Sequence, residues 1–282
     1  TLFYTSEDAV TKRSNRLYRH KVGNKGHELV WEEPDEFFAV HVSKTRTGAF
    51  IYLDTSSHTT ASSAYIRADK PLSKFKQILP QQHMVTYEVD DDGKNFYILT
   101  NEQAKDFRLL KAPARSPSKW KEVLAHRPGV KIEAVDVFAD YLIVFETDQG
   151  LGKIRIQKLS TGSVHYIDFP EPAYAISAAA NHEFDTALYR FSYNSMVTPP
   201  STFEYDLESR ITTVLKTQEV KGYDLTAYKC ERIFATASDG TKVPVSLVYK
   251  GELRASRKCH LYAYGSYGIT IPTGFSSARV SL

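Results

Sequence analysis

Short apolar runs return along this chain at a fixed interval. GAFIYLD (48–54), KNFYILT (94–100), DYLIVFE (140–146) and ALYRFSY (187–193) align on Phe50, Phe96, Leu142 and Leu188, each 46 residues from the next. One further step back reaches Tyr4, inside LFYTS. Just before the markers stand EFFAVHVS, MVTYEVD, IEAVDVFA and AYAISAAA. After them come two more sets, NRLYRHK, SAYIRAD, FRLLKAP, KIRIQKL and TFEYDLE, then HELVWEE, KFKQILP, WKEVLAH, VHYIDFP and ITTVLKT. Turn residues, as in DDDGKN, STGS and HEFDT, separate these strand-like pieces.

Four short strands in a period of about 40–50 residues describe one blade of a β-propeller. A plain β-sandwich accounts for the strands but not for a sustained period. Residues 1–217 are therefore expected to form a partial β-propeller of about five blades, the first lacking its opening strand. An open arc of blades leaves edges and apolar faces wet. Together with the start TLFYTS, already strand-like and without Met, this gives the expectation that the chain is a fragment with earlier blades removed.

After ITTVLKT the rhythm breaks. QEVKGYDLTAY (218–228) reads as a linker, and residues 229–282 open a second domain. There ATASDGTKVPV reads as a hairpin, with Asp239-Gly240 in a two-residue type I′ turn. KCHLYAYG then reads as one more strand ending in glycine.

Composition agrees with a β-rich fold, with 18 Tyr and 15 Phe against 2 Met. A net charge of +3 over 282 residues gives no case for nucleic acid. Two cysteines, Cys230 and Cys259, do not make a disulfide framework. No apolar run approaches the roughly 18 residues of a membrane-spanning helix, and the opening residues show no signal pattern. A soluble, reduced, cytoplasmic protein is the expectation.

The candidate chemistry centres on LYAYGSYG (261–268). A nucleophile elbow needs Gly-x-Ser-x-Gly, and Gly265-Ser266-Tyr267-Gly268 is one residue short, so Ser266 is not expected to be a nucleophile. Ser276 and Ser277 read as turn or cap residues, and Tyr262 and Tyr267 as packing aromatics. His41, His58, His126 and His260 stand singly, without metal-ligand spacing, so no metal or cofactor is expected. Cys259 and His260, as neighbours on a strand, would point to opposite faces. DDDG (90–93) reads as a solvated blade turn, and KTRTG and RASRK as exposed basic loops.

The order of propeller, linker, ATASDGTKVPVSLVYK, LYAYGSYG and FSSARVSL resembles the prolyl oligopeptidase family of serine peptidases, in particular its oligopeptidase B branch. SHTTASS, FYILTNEQAKDFRL, FADYLIVFE and YNSMVTPPSTFEYDL carry the same likeness through the propeller. The resemblance implies a seven-bladed propeller capping an α/β-hydrolase domain, with residues 229–282 as that domain's N-terminal part. It also implies short peptide substrates cut after arginine or lysine. The family's serine, aspartate and histidine all lie downstream of the segment matching LYAYGSYG, which implies that this chain lacks the triad and is inactive alone.

In the family motif Tyr-Gly-Tyr-Gly the second tyrosine donates its phenol to the oxyanion hole, and that position matches Tyr264. A phenol is protonated at neutral pH and can donate to a developing negative oxygen. Ala263 departs from the family's glycine. Pro272 and Gly274 stand in a stretch where bacterial relatives carry acids of a basic-residue subsite, which unsettles a preference for a second basic residue. Proline-specific cleavage and a non-catalytic propeller binding module are the alternatives.

Overall fold

A computed structural model describes residues 1–252, 258–266 and 271–281. These divide into two compact units, residues 1–139 and residues 140 onward. Strands account for nearly all regular structure; among the described residues the helical elements are two 3-10 turns, Leu225–Ala227 and Arg279–Ser281.

In the first unit, β1 (Leu2–Glu7), β2 (Ser14–His20) and β3 (Glu28–Glu32) form a three-stranded antiparallel meander. A four-stranded meander comes next, of β4 (Ala39–Lys44), β5 (Phe50–Ser56), β6 (Ala61–Arg67) and β7 (Lys76–Gln77). The third sheet comprises β8 (Tyr87–Asp91), β9 (Asn95–Thr100), β10 (Arg108–Pro113) and β11 (Lys121–Leu124), and β12 (Val130–Val137) completes the unit. The markers Phe50 and Phe96 fall at the start of the second strand of their sheets. Tyr4 lies in β1, which is thereby the counterpart of a second strand.

The solid apolar character of the marker runs has a packing cause. Strands β5 and β9 are buried on both faces along most of their length, because each lies between side chains of its own sheet and of a neighbouring one. Phe50, Tyr52 and Ile78 meet Tyr87, Phe96, Ile98 and Leu110 in one shared core. A second shared core joins Leu17 to Val40, Leu53 and Ala64. A strand covered on both sides has no polar face to alternate with.

The second unit contains β13 (Tyr141–Asp148), β14 (Leu151–Lys158) and β15 (Val164–Tyr166), paired antiparallel in order. A complete meander of β16 (Tyr174–Ala178), β17 (Leu188–Ser195), β18 (Ser201–Asp206) and β19 (Thr212–Thr217) succeeds it. Phe145 packs on Tyr189 at 6.3 Å between ring centres, joining these sheets. Burial along β17 alternates residue by residue, since one of its faces is covered and the other is open.

The hairpin of β20 (Tyr228–Thr236) and β21 (Lys242–Lys250) forms as the sequence predicts, but with a different turn. Gly240 N–H bonds Ala237 O at 2.9 Å and Ala237 N–H bonds Thr241 O at 2.9 Å. Gly240 has φ +86°, whereas Asp239 is not among the positive-φ residues. That is a three-residue loop, a type I turn closed by a left-handed glycine, and not a type I′ turn. Asp239 holds it by accepting Thr241 N–H at 2.9 Å.

Residues 258–265 adopt no strand, contrary to the reading of KCHLYAYG. A strand needs a neighbour for its backbone N–H and C=O groups, and among the described residues β20 and β21 pair only with each other. An α/β-hydrolase sheet is accordingly not seen among the described residues. Most of RASRK, and Tyr267, lie outside them.

Candidate functional site

The residues singled out for chemistry belong to the second unit. Tyr264 is 46 % exposed in a segment without regular secondary structure. Among the described residues nothing competes for its hydroxyl, since no hydrogen bond occupies it. Tyr262 is 59 % exposed, with the Arg279 guanidinium 5.7 Å from its ring centre. Ser266 has no hydrogen bond to a histidine or carboxylate among the described residues, so nothing there activates it. Ser276 Oγ accepts Arg279 N–H at 3.4 Å, at the head of the short helical turn.

Residues 271–281 are tied back to the sheets. Tyr223 of the linker donates to Val197 O at 2.6 Å and packs edge-on against Phe275 at 5.1 Å. Asn194 Oδ1 accepts Phe275 N–H at 2.9 Å. A Cβ on Gly274 would lie 2.7 Å from that same Oδ1. The glycine is thus what lets this segment approach β17, a packing reason that the sequence does not display. Asp224 caps the linker's helical turn, accepting Thr226 N–H at 3.0 Å.

The hairpin leans on the propeller sheets through a few contacts. Arg232 donates to Gln149 O, Cys230 Sγ reaches Ala173 O at 3.8 Å, and Pro244 lies 3.3 Å from where a Gly150 Cβ would be. Ile233, Phe234 and Val243 remain 44–47 % exposed. Burial pushes the Cys230 thiol up to about 11, with the Glu171 charge adding to it. A thiol so held is a poor nucleophile. Cys259 is free and exposed.

His20 and His27 stack at 4.7 Å between ring centres, whereas the histidines singled out from the sequence stay apart. His41, His58 and His260 are exposed, and His126 lies 3.4 Å from Asp106. Among the described residues no three His, Cys, Asp or Glu side chains come together in a metal-binding arrangement.

Two readings of charged loops are corrected in the first unit. Arg46 of KTRTG is not an exposed cation, since its side chain is only 17 % exposed. It donates to Asp136 Oδ1 at 2.5 Å and Val137 O at 2.9 Å, lies 3.8 Å from Asp90, and stacks over Phe138 at 4.3 Å. The aspartates of DDDG are likewise bonded inside the fold. Asp90 accepts Val137 N–H at 2.7 Å, Asp91 accepts the Thr47 hydroxyl at 2.6 Å, and Asp92 accepts Asn95 N–H at 2.7 Å. Burial lifts the Asp90 carboxyl to about 6, against the pull of Val137 N–H and Arg46. Residue type alone cannot show that Asp90 faces a cation 44 residues upstream; the 46-residue period, which sets equivalent turns side by side, was the available signal.

Meandering antiparallel sheets with cores shared between neighbours are the construction of a β-propeller, here of a peptidase-associated type. The family profile described as "Prolyl oligopeptidase, N-terminal beta-propeller domain" matches residues 1–218, and the chain belongs to the prolyl oligopeptidase family, near oligopeptidase B. It is 36 % identical over its whole length to dipeptidyl aminopeptidase BI of Pseudoxanthomonas mexicana, covering 40 % of that protein. It is 31 % identical over its whole length to protease 2 of Moraxella lacunata, covering 41 %. Oligopeptidase B from Leishmania major superimposes with a TM-score of 0.89 at 29 % identity, over 99 % of this chain and 41 % of that one. The chain thus spans about two fifths of the length of the relatives it matches.

Proposed function

We propose that this chain is the propeller and inter-domain portion of a serine endopeptidase that cuts short peptides after arginine or lysine. Residues 1–217 form part of the substrate-limiting propeller, 218–228 the linker, and 229–282 the N-terminal part of an α/β-hydrolase domain. The observation that carries this reading is that the likeness to oligopeptidase B runs through 99 % of the chain, well past the propeller's last strand. The triad is supplied by sequence beyond this chain, which alone hydrolyses nothing. The location that goes with such an enzyme is the cytoplasm.

In that enzyme a serine activated by histidine attacks the peptide carbonyl, and the tetrahedral intermediate carries an oxyanion. Tyr264 is assigned as one donor to that oxygen, and its hydroxyl is unclaimed by any other partner among the described residues. Removing one such donor costs about 10²–10³-fold in kcat. Tyr264→Phe in the full-length peptidase is expected to lower kcat by that order with KM nearly constant. Unchanged kcat would remove Tyr264 from the site.

The 36 % identity to a dipeptidyl aminopeptidase favours a second reading, in which dipeptides are released from a free N-terminus. Arginyl, lysyl and prolyl substrates, each with a free and a blocked N-terminus, separate the two. Cleavage of blocked arginyl substrates supports the endopeptidase. Strict dependence on a free amine supports the alternative.

A further inference from the structure

The strongest unassigned feature is an open groove of about 910 Å³ in the first unit, between the β4–β7 and β8–β11 sheets. Its cationic residues are Arg67, Lys70, Lys74, Lys76, Lys94 and Arg115, and no carboxylate lines it. Six cations in one groove exceed the +3 carried by the entire chain, so the remainder of the molecule is net acidic. Arg67 is neutralised by Asp69 at 2.8 Å, whereas the other five form no ion pair among the described residues. Such charge is concentrated by position and not by overall basicity. Four of them fall within residues 67–76, and Lys94 and Arg115 are brought beside these by the fold.

The groove is held in shape. Its deep wall is Phe50, Tyr65 and Ala114, with the Tyr65 hydroxyl bonded to Ala114 O at 2.6 Å across the two sheets. The loop bearing Lys70 and Lys74 is fixed by the buried Arg19, which donates to Pro71 O at 2.9 Å and Ser73 O at 3.2 Å. Lys94 is set by Asp92, which accepts its N–H at 3.0 Å, and its carbonyl accepts Ala114 N–H at 2.9 Å. Only the lysine side chains need order on binding, which limits the entropy lost.

We propose that this groove is a docking site for an acidic, extended peptide segment of a partner protein, with apolar side chains between its carboxylates. Lys74, Lys76, Lys94 and Arg115, with Lys70 partly balanced by Asp69, supply the attraction and steer encounter. The partly exposed Tyr65 and Pro113 on its wall receive side chains, and the open form suits a chain passing through. Single-stranded nucleic acid fits less well, because of the two lining aromatics Phe50 is 3 % exposed and only Tyr65 is partly exposed, so successive bases have no row of faces on which to stack. This inference does not rest on the peptidase reading.

The test uses the full-length protein and fluorescein-Glu-Leu-Glu-Glu-Phe-Glu-Glu-Leu, read by anisotropy in 50 and 300 mM NaCl. The peptide has a blocked amine and no Arg, Lys or Pro. Saturable binding at low salt is expected, weakened at least about tenfold by 300 mM salt. The same peptide with Gln for Glu should bind at least about tenfold more weakly. Lys70→Glu/Lys74→Glu/Lys94→Glu should weaken binding by a similar factor with an unchanged melting temperature. Should that variant misfold, Lys70→Gln/Lys94→Gln is to show a smaller loss in the same direction. Absence of binding, equal binding of the Gln peptide, or indifference to these substitutions overturns the proposal. Tighter binding of a single-stranded oligonucleotide at the same residues also overturns it, assigning the groove to nucleic acid.

Discussion

Replacing Arg46 by alanine tests how the first unit is held together. The guanidinium reaches from the β4–β5 turn to Asp90 at the end of β8 and to Asp136 and Val137 of β12. Deletion loses a charge-assisted hydrogen bond, a bond to a carbonyl and a stacked ring, and leaves two carboxylates near each other without their cation. Breaking a buried pair from one side costs about 3–5 kcal/mol. With side chains 17–21 % exposed, solvent offsets some of this, and about 3 kcal/mol is the expected loss at neutral pH. At roughly 2–4 °C per kcal/mol for a domain of 150–250 residues, the melting temperature should fall by about 6–12 °C.

The loss should also depend on pH, with a definite sign. Asp90 titrates at about 6 in the fold and near 3.9 when unfolded. The folded state therefore holds this proton longer, and the group's contribution to stability falls as pH rises through that window, by about 3 kcal/mol. Above pH 6 the contribution is flat. Without Arg46 the folded value moves higher still, so the penalty of Arg46→Ala should be larger at pH 8 than at pH 5. Urea and thermal unfolding followed by circular dichroism at both pH values reads the effect. A penalty independent of pH, or smaller at pH 8, would refute the reasoning.

Asp90→Asn keeps an acceptor for Val137 N–H while removing the ionisation, so the fall in melting temperature between about pH 4 and 6 should shrink; an unaltered slope would show that other groups cause it. Gly274→Ala should displace Asn194 from Phe275 N–H at a cost of about 1–2 kcal/mol, seen as faster hydrogen exchange in residues 271–281, and unchanged exchange would contradict the tight approach. Gly240→Ala imposes a side chain on a positive-φ position and should destabilise the hairpin by about 1 kcal/mol, read as local exchange in β20 and β21; no change would mean that the loop relaxes freely.

The sequence made the propeller legible because its second strands are sandwiched. Phe50 and Phe96 sit in runs without polar interruption, and the return of such runs every 46 residues is what stacked, equivalent sheets require. Turn geometry was less legible. Asp239-Gly240 is compatible with a two- or a three-residue loop, and only the backbone bonds of Ala237 decide between them. Long-range polar contacts were not legible at all, since nothing local to KTRTG indicates an acid 90 residues downstream at Asp136. For Tyr264 the identity of the residue came from family likeness, while the structure adds its exposure and a hydroxyl unclaimed among the described residues.

The cores shared between successive sheets set an order of events during synthesis. The wall formed by Phe50, Tyr52 and Ile78 is completed by Tyr87, Phe96, Ile98 and Leu110, which leave the ribosome later. At about 5–20 residues per second, one repeat emerges every ~2–9 s. For that interval the newest sheet stands with an uncovered apolar face, and its own strands cannot bury it. Each repeat is thus a temporary client for whatever shields nascent chains, and a ribosomal pause inside a repeat prolongs exposure of the sheet before it. Synonymous codon changes that slow translation across residues 84–114 should accordingly lower the soluble yield more than the same slowing placed at a loop just after a completed core.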